Sequence, residues 1–296
     1  MLITFFYIAD SILYTIIFVM TIYLLVFAIA CMKKQKGKYP KSAKQRRFIV
    51  LIPPKSVFSK QTYPESLFQV REYEDLSMTV NELSEKDFDI IIILGQTIGT
   101  SATLIEDINN AADNGIRAMQ LHPIANLLPT THERKKAKQR EIQNSLFNAG
   151  HVSLGLSANL DPTDIAINFR WFKKHLKSNH TLLERKLIKN GHFIGYLDYA
   201  IVRTEQPRPM HRSVWKWKEL VNIPIALVEG NGIFLDKIFQ KLLFPWKVLL
   251  GLTLAACLTT TIIEWNRSLG WWFILFIQML AYSFATPDYL VKKKRN

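Results

Sequence analysis

Two aspartates three residues apart, Asp161 and Asp164, follow the glycine-containing stretch 150–160. A D-x-x-D pair can hold a cation or accept a proton. The same residues, Asp161-Pro162-Thr163-Asp164, also read as a helix start, with Asp161 as N-cap and Pro162 at the first helical position, and this is the favoured reading. His122 and His151 are metal-ligand types without a partner at short spacing, which is weak as a metal signal. His180 is a base candidate at neutral pH. Arg134, Lys135, Lys136, Lys138 and Arg140 form a basic cluster flanked by Glu133 and Glu141. No aromatic platform interleaves it, so it reads as a solvated helix face turned at most toward anionic lipid, and not as a nucleic-acid site.

The elements that must position these residues divide into apolar spans and a mixed domain. The chain has 296 residues, 49% of them hydrophobic, with 38 Lys+Arg against 24 Asp+Glu and a net charge of +14. That length and composition exclude intrinsic disorder. Two cysteines, Cys31 and Cys257, lie in apolar runs, which excludes a Cys-rich metal cluster or a disulfide framework. Ile12–Met32 carries no charge over about twenty residues, the length that crosses a hydrocarbon core as a helix. Basic residues follow this run and no small-residue cleavage site does, so it is read as a span and not as a signal peptide. Val248–Ile263 and Leu269–Ala285, separated by the polar turn 264–268, read as a helical hairpin.

Lys33 to Arg47 holds eight Lys/Arg, and Lys292, Lys293, Lys294 and Arg295 follow the last span. The positive-inside rule then predicts the N-terminus outside, with the central domain and the C-terminus cytoplasmic, and Trp246 marks the inner boundary. Asp10 falls at the outer interface. Residues 48–232 carry 22 Lys/Arg and 20 Asp/Glu, a net of +2, which leaves 16 basic and 4 acidic residues, and +12, to the flanking segments. The expected organisation is a transmembrane helix over 1–32, a basic linker over 33–47, a cytoplasmic domain over 48–232, an interfacial helix over 233–246, the hairpin over 247–286 and a basic tail over 287–296. In 233–244 apolar residues recur at helical spacing with Asp236, Lys237, Gln240 and Lys241 opposite. Periodicity alone leaves a membrane-interface helix and an ordinary core helix both open there.

Within the domain, 48–53 and 89–95 are continuous β-branched runs, as in strands buried on both faces of a sheet. A third strand is expected over 117–122 and another over 192–202. Helices are expected over 103–113, closed by Asn114-Gly115, and over 132–147, 165–175 and 182–189. The fold class is therefore α/β. Ligands in such sheets lie beyond the carboxyl ends of the strands, where this chain offers Pro53-Pro54-Lys55-Ser56 and Gly95-Gln96-Thr97-Ile98.

The succession FIVLIP, DIIIIL, RAMQLH, NSLFNAGHVSLGLSANL, WFKKHL, GHFIGYLD and VWKW, ahead of the terminal hairpin, resembles membrane-anchored bacterial family 2 glycosyltransferases from about residue 46 onward. The resemblance implies a truncated GT-A-like domain, the nucleotide-diphospho-sugar transferase fold, with one N-terminal and two C-terminal spans. It also locates what is missing. Gly95 and Thr97 stand where the family's DxD aspartates would hold a divalent metal. Asn179 and His180 stand at the ED pair that supplies the base. His211 and Val214 replace the Gln and Arg of QxxRW, of which Trp215 remains, and Asp161 and Asp164 fall on the acceptor side. Only about 35 residues separate FIVLIP from DIIIIL, and Glu72, Glu74 or Asp75 would have to replace the family's uracil-binding aspartate. The resemblance thus implies an inner-membrane pseudo-glycosyltransferase that uses no metal or other cofactor and binds no nucleic acid. It would act beside membrane lipid as a subunit of an active glycosyltransferase or another envelope complex. The alternative is an active glycosyltransferase working without metal on an envelope polysaccharide or glycolipid.

Overall fold

A computed structural model of the protein describes residues 2–32, 39–126, 130–176, 180–207 and 217–287. The chain opens with α1 (Leu2–Met32). The domain then runs β1 (Phe48–Ile52), β2 (Phe68–Glu72), α2 (Leu76–Glu82), β3 (Ile90–Ile93), β4 (Gly99–Thr100), α3 (Leu104–Asp113), β5 (Ala118–Ala125) and α4 (Thr131–Asn144). A π-helical turn, Ser145–Gly150, carries α4 into α5 (His151–Ser153), followed by β6 (Ile165–Asn168), α6 (Phe169–His175), α7 (His180–Lys189) and β7 (Ile194–Thr204). After a 3-10 turn, Trp217–Asn222, come α8 (Ile223–Val228), α9 (Gly232–Leu242), α10 (Trp246–Ile263) and α11 (Trp265–Ala285).

The seven strands form one mixed sheet in the order β2-β1-β3-β6-β5-β7-β4. β1 pairs in parallel with β2 and β3, and β5 with β7, while β6 runs antiparallel between β3 and β5 and β4 antiparallel on β7. Every residue of β1 and β3 is buried. Alternate side chains serve opposite faces of a strand: Ile49, Leu51, Ile91 and Ile93 enter one core, and Phe48, Val50, Ile90 and Ile92 the other.

Two elements depart from the sequence reading. The expected helix over 165–175 begins only at Phe169, capped by Asn168, whose side chain accepts from Trp171 N–H. Ile165, Ala166 and Ile167 instead form the strand between β3 and β5, where an apolar segment buried on both faces is required. The second departure is β2, a partly exposed strand of sequence FQVRE at the sheet edge, which occupies the short path between β1 and β3.

Three helices are long and apolar enough to cross a membrane: Phe6–Met32, Trp246–Ile263 and Trp265–Ala285. The polar turn expected over 264–268 is confined to Glu264, because Trp265 to Ser268 already belong to α11. This places Arg267 on the helix, 3.1 Å from the Asp10 carboxylate, which also accepts from Trp271 Nε1 at 3.0 Å. Asp10 is therefore an interhelical partner within the bundle. Deeper in, Gln278 Nε2 donates to Thr21 and Thr253 hydroxyls at 3.1 and 2.8 Å, joining all three helices through buried polar groups.

Candidate functional site

The loop after β3 is closed upon itself. Gly95 N–H donates to Asp164 Oδ1 at 3.2 Å. Thr97 is buried, its hydroxyl 2.8 Å from the Arg203 carbonyl and 2.9 Å from that of Gly99. Gln96 is exposed and its amide reaches the Pro54 carbonyl. Neither Gly95 nor Thr97 offers a charged ligand, and their polar atoms are already engaged by the chain. Among the described residues no group of three His, Cys, Asp or Glu converges as a metal site. The residues at this end of β3 do not fit a divalent cation.

Asp161 and Asp164 are both buried, and neither caps a helix. The stretch before β6 bends instead, with Asp164 at φ +60°, a left-handed conformation that Asp tolerates better than most residues. Asp161 is ion-paired with Arg140, and its N–H donates to Gln120 Oε1 at 2.7 Å. Gln120 Nε2 in turn donates to the Asp164 carbonyl at 3.0 Å. The demand of a buried carboxylate for a cation therefore outweighs capping. The same pair corrects the reading of the basic cluster, because Arg140 leaves the solvated face of α4 while Arg134, Lys135, Lys136 and Lys138 remain exposed.

Glu141 also turns inward. It lies 3.0 Å from His122 Nε2, while His122 Nδ1 lies 2.8 Å from the Asp198 carbonyl. Both ring nitrogens face oxygens, an arrangement that favours the protonated ring. Burial opposes that charge, but the hydrogen bond and charge of Glu141, with smaller contributions from Asp198, raise the His122 pKa above its ordinary value. His122 is an ion-pair member and not a metal ligand.

His151 joins the domain to α1. It is fully buried, and its ring stacks on Phe27 with centroids 3.7 Å apart. Nδ1 lies 2.8 Å from the Leu146 carbonyl and Nε2 2.9 Å from Tyr23 OH, which donates to Asp236 at 2.7 Å. Asp236 belongs to α9, so the segment 233–244 is packed on protein. Phe234 and Ile238 enter the domain core, while Lys237 is wholly buried with Asn159 at 2.6 Å and Glu184 at 3.8 Å. Burial pushes the Lys237 pKa down to about 8, and Glu184 opposes the shift.

His180 is the first residue of α7. Asn179, His211, Val214, Trp215 and Lys292 to Arg295 lie outside the described residues. Trp246 opens α10 and stacks on Tyr282 of α11, centroids 5.5 Å apart.

A cavity of about 400 Å³ opens past the carboxyl end of β2, lined among others by Tyr73, Glu74, Asp75, Phe172, His175 and Leu183, a volume within the range of small-ligand sites. Tyr73 OH donates to the Leu94 carbonyl at 3.1 Å, fixing the wall of the cavity to the end of β3. Asp75 accepts from Ser77 and Met78 N–H at 2.7 and 3.0 Å, and these bonds hold its carboxyl below the usual range. Of the three acidic residues considered for nucleotide recognition, Glu74 and Asp75 line this cavity. Tyr73 and His175 were not legible as site residues, because β2 lacks a continuous apolar run and the approach of α6 is a tertiary contact.

No protein-family model matches the chain, and no curated protein matches it. Among solved structures it is similar to a mannosyltransferase from Pyrobaculum calidifontis in complex with GDP-Man and Mn2+. The identity is 13%, over 96% of this chain and 99% of that one, with a TM-score of 0.49, a likeness too loose to establish a shared fold.

Proposed function

We propose that this chain is a membrane-anchored, GT-A-like protein of the family 2 type that has lost sugar transfer and serves as a structural or regulatory subunit of a bacterial inner-membrane complex, in envelope glycan synthesis. The observation that supports this reading is the end of β3. Departure of a nucleoside diphosphate needs its developing negative charge neutralised, yet positions 95 and 97 are Gly and Thr, with their N–H and hydroxyl bonded internally. Two buried charge pairs, Arg140 with Asp161 and Lys237 with Glu184, lie inside the protein. They hold the fold around a centre whose Asp161 and Asp164 carboxylates are engaged by Arg140 and Gly95 N–H. Purification of the full chain from native membranes, after mild cross-linking, tests the subunit role. An envelope glycosyltransferase or another envelope-complex protein is expected to co-purify in fixed ratio; a monodisperse chain with no companion would sink the idea.

The cavity beside Tyr73, Glu74 and Asp75 favours a second reading, in which nucleotide-sugar binding persists and transfer proceeds without metal. Calorimetry with UDP, GDP and their sugars, with and without manganese, separates the two. Micromolar binding lost in Glu74→Gln would support the enzyme, and silence across the panel would support the subunit.

A further inference from the structure

One face of α4 changes character along its length. Ile142, and Leu146 in the π turn beyond it, are buried in the core of the apolar bundle. One turn back, at the i−4 spacing that keeps to one helix face, stands Lys138, and a further turn back stand Arg134 and Lys135. Lys138 Nζ lies 5.7 Å above the ring of Tyr282. Tyr282, in the last turn of α11, stacks on Trp246, the first residue of α10, so the aromatic pair closes the end of the hairpin nearest the α/β domain. Lys135, Lys136, Lys138 and Lys247 are all exposed. The acidic neighbours on α4 are occupied elsewhere: Glu133 accepts from Thr130 N–H and hydroxyl, and Glu141 faces His122. The Lys136 charge acts on Glu133, and among the described residues no salt bridge is formed by Lys135, Lys138 or Lys247.

The exposed apolar flank of the hairpin, with Val248, Phe276 and Met279, an indole and a phenol at its rim, and the Lys138 ammonium over that rim match the vertical order of a phospholipid: acyl chain, ester region, phosphate. Lysine supplies a compact point charge suited to a phosphodiester. We propose that the junction of α4, Trp246 and Tyr282 is a binding site for the headgroup of an anionic phospholipid in the leaflet facing the α/β domain, with Lys138 and Lys135 as its phosphate contacts. The assignment requires that α10 and α11 span the bilayer and is independent of whether the domain transfers sugar.

Native mass spectrometry of the detergent-purified full chain tests it, with dioleoyl phosphatidylglycerol and dioleoyl phosphatidylcholine offered in equal amounts. The wild type is expected to retain phosphatidylglycerol by about fivefold or more over phosphatidylcholine, from two lysines at the surface. Lys135→Gln/Lys138→Gln should bring this ratio close to one, Lys135→Arg/Lys138→Arg should preserve it, and Lys174→Gln, on α6, should leave it unchanged. Equal retention of the two lipids by the wild type overturns the site. So does a preference that survives Lys135→Gln/Lys138→Gln. Displacement of phosphatidylglycerol by millimolar inorganic phosphate would assign the lysines to free phosphate, and displacement by a short RNA to a general polyanion face; either result overturns the lipid assignment.

Discussion

Glu141 stands on a helix otherwise rich in exposed charges, yet it is directed inward to His122, and this pair makes stability depend on pH. The folded state raises the His122 pKa, through Glu141 against the opposing effect of burial. A raised pKa contributes stability that is fully present below the unfolded value, about 6.5, and is lost as pH rises through the folded one. Glu141→Gln removes the charge that holds the proton, so its penalty should be about 3 kcal/mol at pH 6 and clearly smaller at pH 9. Unfolding midpoints in detergent at the two pH values check this, and an equal penalty at both would mean that His122 is neutral. At this scale the sequence is least informative. Arg140, Glu141, Glu184 and Lys237 have surface-type side chains, and nothing in their local pattern announces that each finds an opposite charge from a distant element. The loss of carboxylates at 95 and 97 was legible, because it is a property of the residue type itself.

Elements were legible where one physical demand dominates. β1 and β3 are buried on both faces, and their β-branched runs record it. β2 is an edge strand and β6 was absorbed into the helical pattern of α6, so pairing partners, and not local preference, decide both. The π turn belongs to the same category. Its extra residue rotates the next helical turn by about 100° relative to an uninterrupted α-helix, and Gly150 and His151 then meet α1. A Cβ on Gly150 would lie 2.6 Å from the Phe27 carbonyl oxygen, a distance that forces backbone to move. Gly150→Ala should therefore cost about 2–3 kcal/mol. Gly155→Ala, at φ +78° with open space around it, should cost only about 1 kcal/mol. Thermal unfolding of both variants in detergent gives the comparison, and a Gly150→Ala protein as stable as Gly155→Ala would show that the helices are not in tight contact.

For the molecule as a whole, the net charge of +14 is carried chiefly by the segments flanking a nearly neutral domain. If that asymmetry sets orientation, a cysteine introduced by Asn266→Cys, in a background free of Cys31 and Cys257, should react with an impermeant maleimide on intact cells. One introduced by Lys135→Cys should react only after permeabilisation, and the reverse pattern would invert the topology. Three spans and a mixed α/β domain were readable from hydropathy and pattern, but the way they are joined was not. α1 is about 46 Å long at 1.5 Å per residue, against a hydrocarbon core of about 30 Å. Asp10 meets the first turns of α11 and Cys31 reaches the Phe284 carbonyl near its end, so the stretch between lies beside α11, and the same stretch is gripped by the domain: Phe27 stacks on His151, Tyr23 meets Asp236, and Ser153 Oγ donates to the Ala30 carbonyl. If α1 crosses a bilayer, a domain fixed at so many points to that helix cannot tumble above it. It diffuses as one body with a single rotation left, about the membrane normal. Encounters with any other membrane-bound molecule thus become a planar search in which height and tilt are set beforehand, and little orientational entropy remains to be lost on contact.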